Sequence, residues 1–512
     1  MKLRKLVALI VMVFMLVGVM AGCANDTGST PPGGSGGGNE GGGGGGNEGG
    51  GGGGNEGGSG GEIVTLQAFF PGTESPAQAA VLEAVNAKLV ADGLNINIQV
   101  SYFDDYWTQL AAEIAGGRVI DLAWSHLEHL GEMVRLGVYQ PIDDALQSHG
   151  QGLLASMPDT LKMGGSIAGV QYAMPRVVPT SYARSVFNVR GDLREKYDIP
   201  QITTIAQMEQ LLQAVHENED DVYGAAGWLP ECFYPVYINA HFPVNWLLFV
   251  YPDNPTVQSL WHSDEMAQIM AKVWEWSSKG WIPSQDVRDR LDGADAGFDN
   301  GFITVVNANP MRALERADQV ANNIPGGRAE SVLLQPDKKW NFFAGDNQLA
   351  VPSTSKNVNE AVAFVNWLKS SQENFDLFSF GVEGVNYQLV DGAVDTSIGT
   401  GDNHYSINKW MWDDLSLARF SANFPQADRD ALLNWDAGSE MSPYLGFMFD
   451  QSSVSNELGA IWDVIWSNVG QWTTGSAEYA ASRDNFMSQL DGAGIQAVID
   501  ECQRQLNAFV GG

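Results

Sequence analysis

Cysteine is scarce: Cys23, Cys232 and Cys502 are the only three in 512 residues. Three thiols cannot build a disulfide framework in so long a chain, so the fold has to rest on an apolar core. Cys232 and Cys502 are expected to be unpaired, partly buried thiols. Basic residues are also few, 28 against 61 acidic ones, giving a net charge of −33. Such a surface repels phosphate backbones, which argues against a nucleic-acid partner and disfavours an anionic ligand. Beyond Gly22 no apolar run is long enough to span a bilayer. The chain also lacks a phosphate-cradling Gly-Lys-Ser/Thr loop, a Gly-x-Ser-x-Gly elbow and a His-Glu-x-x-His helix.

What is present begins with an address. Lys2, Arg4 and Lys5 precede an apolar run from Leu6 to Met20, and then comes Ala21-Gly22-Cys23. Positive, apolar and small residues in that order form a secretory signal. Residues 31–61 are nearly all glycine, with Asn-Glu pairs recurring at 39, 47 and 55. Glycine has no side chain to bury, so this stretch is expected to be a disordered tether reaching on the order of 35 Å.

From residue 63 the pattern changes. Ile63–Phe70, Asn95–Tyr102 and Val119–Trp124 read as strands, separated by helical spacing over 75–91 and 104–115 and followed by a helix over 127–136. Strand and helix in alternation predict an α/β domain with a largely parallel sheet, whose ligands sit at the carboxyl ends of the strands. Helical patterning recurs at 204–217, 264–279, 358–370, 372–380, 457–474, 478–490 and 494–509. Further strands are expected at 302–306, 331–335 and 347–351.

Several segments carry a family likeness. Met20-Ala-Gly-Cys23 resembles the lipobox of bacterial lipoproteins, with Met where Leu is usual. Gly137-Val-Tyr-Gln-Pro-Ile-Asp-Asp144, Gly169-Val-Gln-Tyr-Ala-Met-Pro175, Val186–Leu193 and Gly381-Val-Glu-Gly-Val-Asn-Tyr387 fall in an ordered series. So do Phe449-Asp450 and Glu501–Gln505 in the tail. Together they resemble the family 1 extracellular solute-binding proteins of ABC importers, most closely the LipO-type lipoproteins, over essentially residues 63–512. The resemblance implies a type II binding-protein fold with two α/β lobes, the second rich in helix. It implies a signal peptide at 1–22 and a lipidated Cys23 opening the tether at 23–62. Lobe 1 is then expected at 63–178 plus 301–347 and lobe 2 at 179–300 plus 348–512. The expected role is non-enzymatic. A monomer, lipid-anchored on the outer face of the cell membrane, captures a sugar or similar small solute between its lobes and hands it to permease subunits.

The residues add one hint of their own. Sixteen Trp and 10% aromatics suit a ligand whose C–H faces stack on rings and whose hydroxyls need polar partners. Position in the pattern nominates Phe70, Glu74, Trp107, Trp124, Ser125 and Arg176 from the first lobe. Trp228, Glu383 and Asn386 are nominated from the second, and Trp410 and Trp412 are equally readable as packing. His126 and His129, with Glu128 and Glu132, have loosely metal-like spacing on one helix, but no third His lies near and a solvated face is the better reading. The Asp292–Asp299 cluster does not follow the spacing of a calcium loop. No metal, cofactor or catalytic residue is expected. The competing readings are a secreted glycoside hydrolase, for which no motif nominates a carboxylate pair, and a sensor that presents its ligand to a membrane protein.

Overall fold

The computed structural model describes residues 62–511 except 336, 343 and 344. The signal, Cys23 and the glycine tether lie outside the described residues. In chain order, the elements that matter begin with β1 (Val64–Pro71), α1 (Gln78–Ala91), β2 (Ile96–Phe103), α2 (Tyr106–Ala115), β3 (Leu122–His126), α3 (Leu127–Arg135) and β4 (Ala173–Pro175). Then follow β5 (Val186–Arg190), α4 (Ile205–Asn218), β6 (Tyr223–Ala226), β7 (His241–Val244), β8 (Leu248–Tyr251), β9 (Asn254–Ser259) and α5 (Asp264–Ser278). The chain continues with β10 (Ile303–Ala308), α6 (Arg312–Asn323), β11 (Ala329–Val332), β12 (Asn347–Ala350), α7 (Val358–Leu368) and α8 (Gln372–Phe380). It ends with α9 (Ser455–Thr473), α10 (Arg483–Gly492) and α11 (Ile495–Gly511).

Two main sheets organise the molecule, one per lobe. The first runs β2-β1-β3-β12-β4, with β1 parallel to β2 and β3, and β12 antiparallel to β3 and β4. The second runs β11-β5-β10-β6, and a three-stranded sheet of β9, β8 and β7 accompanies it. Beneath the first sheet, Val81, Val85 and Leu89 of α1 pack with Val362, Phe364 and Val365 of α7. Around the second, Leu211 and Leu212 of α4 and Ile269 and Val273 of α5 join one large core with Ile461 and Ile465 of α9 and Val498 of α11. Burial of this much apolar surface is the main favourable term in folding. Local signals start the helices: Thr204 forms a capping box with Gln207, and Ser263 and Ser371 accept backbone N–H bonds.

The helices and strands lie close to their expected places, but two segments exchange lobes. Residues 301–347 were expected in lobe 1; instead β10 and β11 flank β5 in the second sheet. Residues from 348 onward were expected in lobe 2; instead β12 sits between β3 and β4, and α7 and α8 pack on the first core. Phe424 and Leu432 return the chain to the second lobe, where they pack with Phe298 and Ile303. The chain therefore crosses between lobes three times, near 176–185, 335–346 and 413–420. The crossings are tied to one another. Val177 bridges to the third crossing, its N–H donating to Asp413 O (2.8 Å) and its carbonyl accepting from Leu415 N–H (2.7 Å). Asp436, in the second lobe beyond the third crossing, accepts from the backbone N–H and the hydroxyl of both Thr180 and Ser181 and so anchors the first crossing.

Cys232 and Cys502 are both free and fully buried, and burial pushes both thiols up, Cys502 to about 12. His241 is buried beside Tyr444 and Phe342, and desolvation pulls it down to about 4. Below the ordinary histidine value of 6.5 the unfolded chain takes up a proton that folded His241 refuses, so stability falls as pH drops from 6.5 towards 4. His241→Phe is expected to remove about 1 kcal/mol per pH unit of that slope. Denaturant titrations at pH 7 and pH 5 measure it; an unchanged slope would refute the assignment.

Candidate functional site

Each lobe offers a wall of tryptophan at the carboxyl end of its strands. In the first, Trp124 lies on β3 and donates its indole N–H to Oδ1 of Asn347 on neighbouring β12 (2.9 Å). Trp107, at the start of α2, packs 4.6 Å from Trp124 and 4.2 Å from the His129 ring. Trp410 meets Trp124 edge-on at 5.2 Å. All three indoles are half-buried, with part of each ring packed and part open. Tyr106 is buried behind them and donates its hydroxyl to Trp124 O (2.8 Å). At the end of β3, Nδ1 of His126 accepts the Glu128 N–H (3.2 Å) and caps α3. That bond assigns the proton to Nε2, and burial holds the ring at about 4, so His126 is neutral near pH 7 and offers Nε2–H as a donor.

In the second lobe β6 ends at Gly227, whose φ of +95° suits glycine and turns the chain into Trp228. The Trp228 N–H donates to Asn307 Oδ1 at the end of β10 (2.6 Å). A Cβ at Gly227 would stand 2.4 Å from that same oxygen. Gly227→Ala is therefore expected to shift Trp228 and cut ligand affinity about tenfold or more with the lobe still folded. Calorimetric titration beside circular dichroism checks it, and unchanged affinity would count against the placement. Trp228 packs 4.3 Å from Trp246, which donates its indole N–H to Glu231 (2.5 Å). Glu231 also accepts from Asn245 (3.1 Å); burial raises its carboxyl, and the Arg184 guanidinium opposes that rise.

Beside Glu231 lies a small cavity of about 20 Å³, room for a single water, lined by Tyr182, Arg184, Tyr234, Phe242, Asn245 and Phe342 among others. Among the described residues the buried Tyr234 hydroxyl has no hydrogen-bond partner. Tyr182 (φ +51°), Asn239 (φ +43°) and Trp246 (φ +63°), all at or beside this cavity, hold left-handed backbone conformations. Bulky residues keep such conformations only where their surroundings over-determine them, and such positions cluster at binding sites.

Charged groups join the walls. Arg184, at the end of the first crossing, reaches Glu128 of α3 at 2.8 Å. Arg176 grips Asp346 through two bonds of 2.7 and 2.6 Å and donates a third to Trp410 O (3.2 Å). The guanidinium holds Asp346 down to about 2 despite its burial.

Of the nominated residues, the structure brings Trp107 and Trp124 together on one wall and puts Trp228 on the other. Arg176 is buried and engaged with Asp346, so it supports the wall rather than facing a solute. Phe70 was expected at the cleft; it is fully buried in the first core, 5.6 Å from Trp412. Ser125 is fully buried, because alternation along β3 turns it from the face that shows Trp124. Asn386 is an internal brace, accepting the Val382 N–H (2.7 Å) and donating to Asn403 O (2.8 Å). Glu74 stands exposed near Tyr102, and Glu383 is exposed in a loop of the first lobe near Arg419. The sequence reading missed Arg184, Glu231, Asn245, Trp246 and Asn347.

Comparison with known proteins accounts for the architecture. Residues 72–374 match the family model of bacterial extracellular solute-binding proteins. The chain belongs to that family. Residues 443–511 match a second model, a domain of unknown function (DUF3502). A curated relative, a carbohydrate ABC transporter substrate-binding protein of Streptococcus pneumoniae serotype 4, is 22% identical over 431 residues, 82% of this chain and 85% of the relative. Among solved structures, the N-glycan transport solute-binding protein NgtS of Streptococcus pneumoniae superposes with a TM-score of 0.71 at 19% identity, over 88% of this chain and 99% of that one. An "HMO binding" ABC-transporter-associated solute-binding protein of Bifidobacterium longum infantis reaches 0.58 at 16% identity, over 87% of this chain and 99% of that one. At these identities the likeness establishes the solute-binding fold of this family member.

Proposed function

We propose that the protein captures a carbohydrate between its lobes and passes it, chemically unchanged, to the membrane subunits of an ABC importer. Cys23 carries the lipid that anchors it on the extracytoplasmic face, and the glycine tether lets a monomeric body reach its permease. One observation carries the reading: half-buried indoles from both lobes, Trp107, Trp124 and Trp410 on one side and Trp228 on the other, around a rim of polar groups. Pyranose rings have apolar C–H faces that stack on indole and hydroxyls that need Nε2–H, amide and carboxylate partners. His126, Asn245, Glu231 and Arg184 supply them. The carbohydrate and N-glycan transport roles of the relatives support the same reading. Closure follows from a ligand that touches both walls at once.

A thermal-shift screen across mono- and oligosaccharides tests this. A bound sugar at a hundred times its Kd adds about 2.7 kcal/mol of stability, and it should be recovered intact. Failure of every sugar to stabilise the protein, or cleavage of the sugar, would overturn the proposal.

A further inference from the structure

The tryptophan wall of the second lobe does not stop at the cleft. Helix α9 turns Leu458, Ile461, Ile465, Val469 and Trp472 into the core. Trp462 and Trp466, four residues apart, share the flank beside that stripe, Trp462 half-buried against the core and Trp466 turned out of it. Their rings lie near-parallel, 5.9 Å apart with 22° between planes. Trp466 in turn stands 6.1 Å from Trp228. The four rings form a chain of neighbours, Trp246–Trp228–Trp466–Trp462, with successive spacings of 4.3, 6.1 and 5.9 Å. Exposure rises from Trp246, buried against Glu231, through half-buried Trp228 to Trp466, 53% exposed, and the series ends on Trp462, half-buried at the edge of the core. An aromatic as large and exposed as Trp466 gains nothing from the core it faces away from. The series leaves the cleft on the segment that matches only a domain of unknown function.

We infer that α9 is an outer stacking platform of the binding site. Inner units of an oligosaccharide lie between the lobes, and the units beyond them extend over Trp466 and Trp462. This rests on the carbohydrate reading and sharpens it: the preferred ligand is an oligosaccharide longer than the cleft, and the C-terminal region selects for length. Near-parallel indoles at this spacing suit successive apolar ring faces, while the acidic surface asks for no negative charge on the ligand.

The test is calorimetric titration of the full-length protein with short and long members of matched pairs. The probes are the malto-, cello-, xylo- and manno-disaccharides and hexasaccharides, with Man1GlcNAc and Man5GlcNAc. Wild type is expected to bind the longer member of at least one pair more tightly. Trp466→Ala is expected to lose about tenfold for that longer member and nothing for the shorter. Trp466→Tyr, which keeps a stacking face, should retain most of the affinity. Because Trp466 is exposed, the unfolding midpoints of the variants should match wild type. An alanine variant that binds the longer member like wild type, an equal loss for both members, or no length preference in wild type would each overturn the platform and leave the cleft reading standing. Absence of wild-type binding to every probe would overturn both.

Discussion

Trp228→Ala is expected to weaken carbohydrate binding by about tenfold to a hundredfold while costing only about 1–2 kcal/mol of stability. The asymmetry follows from its position. The Trp228 ring packs against Trp246 yet stays half-buried, so part of its surface is available to a ligand. Its backbone is held by Asn307 rather than by its own ring, so the turn survives truncation. Isothermal titration gives the first quantity and denaturant unfolding the second. A variant that keeps wild-type affinity would remove Trp228 from the site.

The largest stability effect belongs to Arg176→Ala. It strips the guanidinium from Asp346, whose side chain is 27% exposed, at a site where the Arg176 side chain itself is 5% exposed. Breaking a fully buried pair costs about 3–5 kcal/mol, and with water reaching Asp346 and the Asn347 N–H still bonded to it the loss here is expected to be about 2–3 kcal/mol. Removing both charges together, as in Arg176→Met with Asp346→Leu, should cost less, because no lone charge is left behind. The pair has a pH signature. Arg176 holds Asp346 near 2, below its ordinary value of 3.8, so the contribution is present above that ordinary value and is lost as pH falls towards 2. The deficit of Arg176→Ala should accordingly shrink between pH 6 and pH 3. A deficit that stayed constant, or a loss under about 1 kcal/mol, would show that the pair is not what holds the crossings.

Helices and strands were legible because their periods are local: α9 shows its apolar stripe in its own residues, and Thr204 and Ser263 mark where helices begin. The lobes were less so. Whether β12 inserts beside β3 or β10 beside β5 depends on pairing across long sequence separations, and neither strand's composition reveals its neighbour. The site divides along the same line. Trp124 and Trp228 could be nominated because each ends a strand. Phe70 failed because β1 is buried on both faces, so adjacency to a turn did not expose it. Arg184 and Glu231 left no trace because they gain meaning only when the first crossing meets α3 and the loop after β6. One signal was available and unread: Trp466 stands outside the apolar stripe of a helix whose core-facing positions are already filled.

Three interlobe segments laced to one another change the kinematics of the clamshell. Two bodies on a single thread can roll, twist and slide, and most encounters between them would be out of register. Laced at Val177–Asp414 and at Arg176–Asp346, the lobes are left chiefly one swing, like a door on several pins. Every closure then brings Trp124 and Trp228 to the same mutual offset. The strictness of the grip on a guest is thereby delegated to the straps, and a substitution that loosens one of them should blur selectivity before it abolishes capture.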